Sequence, residues 1–255
     1  MASITHVVNK HLLSSCMVIT TLAGVFASFA PAALAGNFSV NPVRVFMAPR
    51  DRATAITISN EGNEPLIMNA ELYAWKQDDK GEQVITLTEE IMMTPPVIKI
   101  APRSKQVVRI ALLRPRPANE QLTYRIIVTE FLEARPVALE NVQLPMATAF
   151  SIPIFVTPRS VSKKVNCSVA QVEGKPSVAC ENTGNAYSHV SQFELTSATG
   201  DKLASLEQGG YLLAGVKRSF SLKPNAAAAM PAGPAKLVVR LEDASTQTFD
   251  VTIPQ

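Results

Sequence analysis

Apolar and polar residues alternate with a period of two through much of the chain. In "NVQLPMATAFSIPIF", residues 141–155, Val142, Leu144, Met146, Thr148, Phe150, Ile152 and Ile154 occupy every second position, as a half-buried strand requires. "ATAITIS" (53–59) and "TYRIIVTEF" (123–131) alternate in the same way, and "LIMNAELYAW" (66–75) and "KQVVRIALL" (105–113) are strand-like. Turn-forming clusters such as "NEGNEP", "DDKGE" and "APRS" separate these runs. Helical periodicity is nearly absent. Short strands with frequent turns predict antiparallel sandwiches, and their number over residues 37–157 fits one immunoglobulin-like domain. After "VTPRSVSKK" the pattern restarts with "KVNCSVAQV", "PSVACENTG", "SQFELTSATGD", "AKLVVRLED" and "TFDVTIPQ". The expected fold is all-β: two immunoglobulin-like β-sandwich domains, residues 36–157 and 158–255, with "KPNAAAAMPAGPA" (223–235) as a loop of the second.

The run at 141–155 contains Pro145 and Pro153, which a central strand should not accept. Alternate residues of an antiparallel strand aim their N–H and C=O groups at opposite edges, so two odd-numbered prolines remove donors from one edge only. The sequence therefore predicts an edge strand that pairs with its own sheet through even residues. Its odd edge, with the N–H groups of Ala147, Ala149 and Ser151, is left free, and the prolines limit indiscriminate pairing there. The plainer alternative is an edge strand whose apolar face packs wholly into its own core.

The N-terminus reads as an export signal. Lys10 precedes an apolar run from Leu12 to Ala30, and "PAALAG" carries the small-x-small pattern of Ala33 and Ala35. Residues 1–35 are expected to be a signal peptide cut after Ala35, so that the mature protein is exported; a membrane anchor is the competing reading. Only Lys10 of the charged residues leaves with the signal, so 24 Lys+Arg become 23 against 21 Asp+Glu, a balance of +2. So weak a field argues against nucleic acid as a partner.

Cys167 and Cys180 remain after cleavage, and in an oxidising compartment they are expected to pair. Both lie equally far from the centre of a hairpin about Glu173-Gly174, which sets them face to face. A reduced metal or catalytic pair is the alternative. With His189 the one histidine left and no GxSxG, HExxH or phosphate-loop pattern, the chain is not expected to be an enzyme, and no cofactor or metal is expected. Paired carboxylates such as Asp78-Asp79 and Glu89-Glu90 sit among polar turn residues, where they read as solvated surface. Arg44 in "FSVNPVRVFM" and Arg125 in "TYRIIVTEF" stand among strand formers. Each alone reads as a surface arginine with its stem laid on apolar residues; as neighbours in the fold, the two would make a fork for a carboxylate.

"VNPVRVFM", "ITISNEGNEPL", "TPPVIKIAPRSKQVVRI", "YRIIVTEF" and "IPIFVTP", followed by "ENTGNA" and "GYLLAGVKRSF", in this order resemble the periplasmic pilus-assembly chaperones of the chaperone-usher pathway, the PapD-like family. The resemblance covers nearly all of the chain after the signal. It implies two immunoglobulin-like domains set at an angle, with a cleft that receives a pilus or fimbrial subunit lacking one strand. It also implies that the chaperone lends its own strand to that subunit, prevents premature polymerisation and delivers the subunit to an outer-membrane usher. On this resemblance Val142, Leu144, Met146, Thr148 and Phe150 are the donor residues. Arg44 matches a basic residue that anchors the subunit's terminal carboxylate. The family's second anchor, a lysine two residues before the phenylalanine matched by Phe155, is Pro153 here; Arg125 is the replacement expected, with Lys163 or Lys164 behind it. Glu130 matches an acid of an interdomain ion pair whose usual arginine is Thr157 in this chain. The same donor strand would serve self-association between two copies. The other reading of the sequence is a secreted β-sandwich acting as an adhesin or binding module.

Overall fold

The structure, a computed structural model, describes residues 38–78, 80–115, 119–131, 147–172, 175–225 and 231–254. The export signal with its cleavage site, and Val142, Leu144 and Met146 of the expected donor strand, lie outside the described residues. Every regular element described is a strand.

The first ten are β1 (Phe38–Asn41), β2 (Val45–Met47), β3 (Ala53–Asn60), β4 (Leu66–Gln77), β5 (Gln83–Leu87), β6 (Ile91–Thr94), β7 (Val97–Ile100), β8 (Lys105–Leu112), β9 (Leu122–Glu130) and β10 (Ala149–Val156). They form one sheet in the order β1-β3-β8-β6 and another in the order β2-β10-β9-β4-β5, with β7 also paired to β4. Side chains of alternating residues meet between them. Ile56 and Ile58 of β3 and Val108 and Ile110 of β8 lie in one buried cluster with Met68 of β4, Tyr124, Ile126 and Val128 of β9 and Ile154 of β10. Each such side chain contributes about 1.5–3 kcal/mol on leaving water, which fixes the registers, because a one-residue slip would turn the apolar set to solvent.

The remaining eight are β11 (Val165–Val172), β12 (Lys175–Asn182), β13 (Ser188–Ser197), β14 (Lys202–Leu212), β15 (Lys217–Ser221), β16 (Lys223–Pro224), β17 (Gly233–Leu241) and β18 (Thr246–Ile253). They make a sheet β11-β12-β15 and a sheet β16-β14-β13-β17-β18 over a second core in which Phe193 and Phe220 meet at 4.8 Å. The segment 223–235, read from sequence as a loop, is instead strand at both ends. Lys223 and Pro224 pair with β14, and β17 begins at Gly233; Pro224 is tolerated because β16 lies at the sheet edge. Cys167 and Cys180 are opposite one another in the β11–β12 register and form a disulfide on the buried side of that hairpin.

Both halves use the same turn. Asn60 ends β3 and Asn182 ends β12, and both are buried. The Oδ1 of each accepts the N–H of the glycine two residues on, Gly62 or Gly184, at 2.9 Å, and the Nδ2 donates to the carbonyl four residues on, Glu64 or Ala186, at 2.8 Å. Asn182 Nδ2 also reaches the carbonyl of Leu212 at 2.9 Å. Glycine is required at 184, since a Cβ there would come within 2.1 Å of the Ser162 carbonyl oxygen. Asn182→Ala leaves these buried groups without partners and is expected to lower stability by about 1–3 kcal/mol. Urea unfolding measures it, and a loss within error of zero would mean that water replaces the side chain.

Candidate functional site

β10 carries Pro153 because of the side on which each neighbour lies, whereas Pro145 lies outside the described residues. The carbonyl of Thr148 accepts the N–H of Glu130 at 2.9 Å, and Thr157 N–H donates to the carbonyl of Met47 at 3.0 Å. Even residues of this segment thus face β9, and odd residues face β2. β9 pairs with β10 from Ala149 to Val156, whereas β2, running parallel, covers only Ile154 to Val156. The odd edge is therefore closed at its C-terminal end, where the sequence reading left it free. From Ala147 to Pro153 it has no strand partner among the described residues. Thr148, Ala149 and Ser151 are exposed there. Phe150 is half-buried and lies 5.2 Å from the ring of Phe38, so it closes the end of its own core.

The registers gather the basic residues. Val45 stands opposite Ile154 in the parallel pair, so Arg44, one residue earlier, falls beside Pro153. Pro153 in turn is the register partner of Arg125. Neighbours in register project to one face of a sheet, and with Val45, Ile154 and Tyr124 buried in the first core, Arg44 and Arg125 share the opposite face, on either side of the proline. Pro153 itself is buried.

Across this face lies the second sandwich. Trp75, Phe155, Tyr187 and Leu213 form a separate buried cluster that joins the two halves, with Tyr211 packed against it. Phe155 stacks on Tyr187 at 4.0 Å and on Phe46 at 5.4 Å. Gln77 clasps the seam by donating Nε2 to the carbonyl of Tyr211 at 3.1 Å and accepting Leu213 N–H at 2.8 Å. Beside it the β4–β5 turn seats Gly81 against the stem of Arg218; with φ at 76° and no room for a Cβ, that position requires glycine.

The two arginines are held differently. Arg44 Nη1 donates to Glu242 Oε2 and lies 3.4 Å from the hydroxyl oxygen of Tyr187, while Tyr187 O–H donates to Glu242 Oε1 at 2.6 Å. Burial works against the charge of Arg44, but the bonds with Glu242 and Tyr187 more than offset it, and its proton is held more tightly than in water. Arg125 donates to the hydroxyl of Ser151 at 3.0 Å and lies 3.9 Å over the ring of Trp75. Its Nε is buried without a hydrogen-bond partner among the described residues. Burial lowers its pKa, opposed by Tyr211, so an incoming anion would stabilise it. Both guanidinium groups lie near Tyr211, Arg44 at 5.6 Å from its ring. His189 stands edge-on to Tyr211 with Nδ1 3.8 Å from Glu242, and burial lowers its pKa, which leaves it neutral near pH 7.

Of the weaker candidates, Lys163 pairs with Asp243 at 3.5 Å, 5.6 Å from the ring of Tyr187, and Lys164 is exposed. Among the described residues an ion pair between Arg44 and Glu242 joins the sandwiches, and Glu130 takes no part in it. Glu242, Tyr187 and Tyr211 were not singled out by sequence reasoning. Their only sequence signal is an acid and two tyrosines set next to turn residues in "VRLED", "GNAYS" and "GGYLL".

A family model described as "Pili and flagellar-assembly chaperone, PapD N-terminal domain" matches residues 37–162. A search of curated protein sequences finds no match. Solved structures share the fold. A chain of the CsuC–CsuE chaperone–tip adhesion subunit pre-assembly complex, from the archaic chaperone-usher Csu pili of Acinetobacter baumannii, superposes with a TM-score of 0.62 at 18% identity, covering 86% of this chain and 99% of that one. The CupB2 chaperone of Pseudomonas aeruginosa gives 0.53 at 16% identity, with 83% and 98% covered. A chain of the Salmonella enterica SafA pilin–SafB chaperone complex gives 0.56 at 14%, with 87% and 98% covered. The first sandwich belongs to the PapD N-terminal-domain family of pili and flagellar-assembly chaperones, and the chain as a whole shares the fold of these solved chaperone structures.

Proposed function

We propose that this pilus-assembly chaperone holds a fimbrial subunit by adding the odd edge of the 141–153 segment to the subunit's incomplete sheet, while Arg44 and Arg125 grip the subunit's terminal carboxylate. In this scheme residues 1–35 direct export and are removed after Ala35. Domains 36–157 and 158–255 enclose the grip from both sides. The held subunit passes to an outer-membrane usher, with no nucleotide consumed, because it exchanges the lent strand for a better-fitting one from the next subunit. The supporting observation is a juxtaposition. The stretch of β10 and its approach without a strand partner on the odd side ends at Pro153, flanked by the two arginines. An extended peptide entering there finds backbone groups to pair with and, at the end of the edge, two guanidinium groups suited to a carboxylate.

Ala149→Pro separates this function from folding. Residue 149 is exposed, and its N–H lies on the odd edge, away from β9, so the intramolecular ladder keeps its bonds. The variant loses a donor in the middle of the lent edge, and the ring hinders a strand approaching it. Co-purification of a co-expressed cognate pilus subunit is expected to fall by about tenfold or more with an unchanged melting temperature. Undiminished capture by a folded Ala149→Pro protein would rule out strand addition at this edge.

A further inference from the structure

In the free protein the two halves of the carboxylate grip are not equivalent. Arg44 already has a carboxylate: Glu242 of the second sandwich holds Nη1, and Tyr187 steadies that acid through a 2.6 Å hydrogen bond. Arg125 has the Ser151 hydroxyl and the face of Trp75, and among the described residues no acid is paired with it. Of the other cations at the seam, Lys163 is matched by Asp243 and Arg218 donates to the carbonyl of Tyr211 at 3.3 Å, while burial lowers the pKa of His189. Of the two arginines, Arg125 is the one whose positive charge no acid among the described residues meets.

We propose that Glu242 is a built-in competitor for the subunit's carboxylate. It occupies the position on Arg44 that the carboxylate would take, so the carboxylate is captured first at Arg125 and reaches Arg44 only as Glu242 gives way. The proposal rests on the reading that a carboxylate is gripped here. Two carboxylates on one guanidinium nitrogen repel each other, and at a partly buried site that repulsion is only weakly damped by water. A small free carboxylate at Arg125 has nothing with which to displace Glu242. A carboxylate carried on a strand that also pairs with the odd edge does, because the strand's hydrogen bonds add to its hold. Glu242 then acts as a threshold that favours whole strands over isolated anions. As Arg44–Glu242 is also the ion pair that joins the sandwiches, full engagement of the carboxylate loosens that link.

The test uses a short synthetic peptide of alternating valine and threonine ending in a free carboxylate, and its twin ending in a carboxamide. Each is titrated into the wild type, Glu242→Gln, Tyr187→Phe and Arg125→Ala. Binding is followed by emission of Trp75, the chain's single tryptophan, which lies under Arg125. The wild type is expected to prefer the free carboxylate. Glu242→Gln should bind that peptide about tenfold more tightly, as removal of one charge-assisted competitor implies, with carboxamide binding unchanged. Tyr187→Phe, which keeps every charge but removes the bond steadying Glu242, should move in the same direction by a smaller factor, and it carries the test if Glu242→Gln folds poorly. Arg125→Ala should lose the preference for the free carboxylate. Equal or weaker binding by both Glu242→Gln and Tyr187→Phe, with the wild-type preference intact, overturns the competitor role and leaves the grip standing. Absence of any wild-type preference for the carboxylate overturns both.

Discussion

Replacing Phe155 with alanine is expected to lower stability by about 3–5 kcal/mol, the usual cost of emptying a buried phenylalanine site. Phe155 is fully buried, yet it belongs to neither sandwich core. Its ring lies against Tyr187 at 4.0 Å, Phe46 at 5.4 Å, Trp75 at 5.9 Å and Tyr211 at 6.0 Å, so one side chain touches aromatic residues of both halves. The backbone of residue 155 pairs with Phe46 on one side and Thr123 on the other, and alanine preserves both ladders. The loss therefore falls on the joint between the sandwiches. Calorimetry should show the transition lowered and split as the halves cease to melt together. Trp75 emission should shift to the red below that transition, since this ring is buried in the same cluster. A loss under about 1 kcal/mol with unchanged emission would mean that the seam repacks around alanine.

The second large effect concerns the disulfide. Cys167 and Cys180 are separated by 13 residues, and a cross-link closing so short a loop contributes about 3 kcal/mol by restricting the unfolded chain. Cys167→Ala combined with Cys180→Ala is expected to lower stability by that amount, with the whole loss in the second sandwich, whose core the bridge joins. Alanine is preferred to serine because both positions are buried and a hydroxyl there would need a partner. Denaturant midpoints of the variant and of the reduced wild type should coincide, with the aromatic seam about Trp75 still closed at low denaturant. A variant as stable as the oxidised wild type would show that the surrounding hairpin supplies the constraint by itself.

Local features of the fold were legible in the sequence, and long-range ones were not. The pairing of Cys167 with Cys180 follows from their equal distance to a hairpin centre, a relation contained within one short segment. The odd position of Pro153 marks which edge of β10 pairs with β9, because the pleat converts odd and even positions into opposite edges. The three residues of β2 that close the same edge beyond Pro153 gave no such signal. Their parallel pairing joins segments a hundred residues apart, and only the packed core sets that register. The same limit applies to the arginines: each is conspicuous in its strand, but their common row around Pro153 depends on two registers at once. Glu242 lies in "RLED" at the end of β17, among polar turn residues where an acid reads as solvated surface. Its pairing with Arg44, 198 residues away, has no local trace. One signal was open to view. "NEGN" at 60–63 and "NTGN" at 182–185 repeat the same turn, and their spacing marks equivalent points of the two sandwiches.

The short strand β2 has a directional consequence. It lies along the odd side of β10 with its first residue opposite Ile154 and runs the same way as β10, so it works as a buffer at the end of a track. Anything threaded along that side must halt just short of Arg44. In the proposed scheme a guest whose terminal carboxylate halts there has to run in the sense of β10 itself, parallel to it and with its carboxyl end leading. An antiparallel guest would bring its amino end to the arginines and meet repulsion.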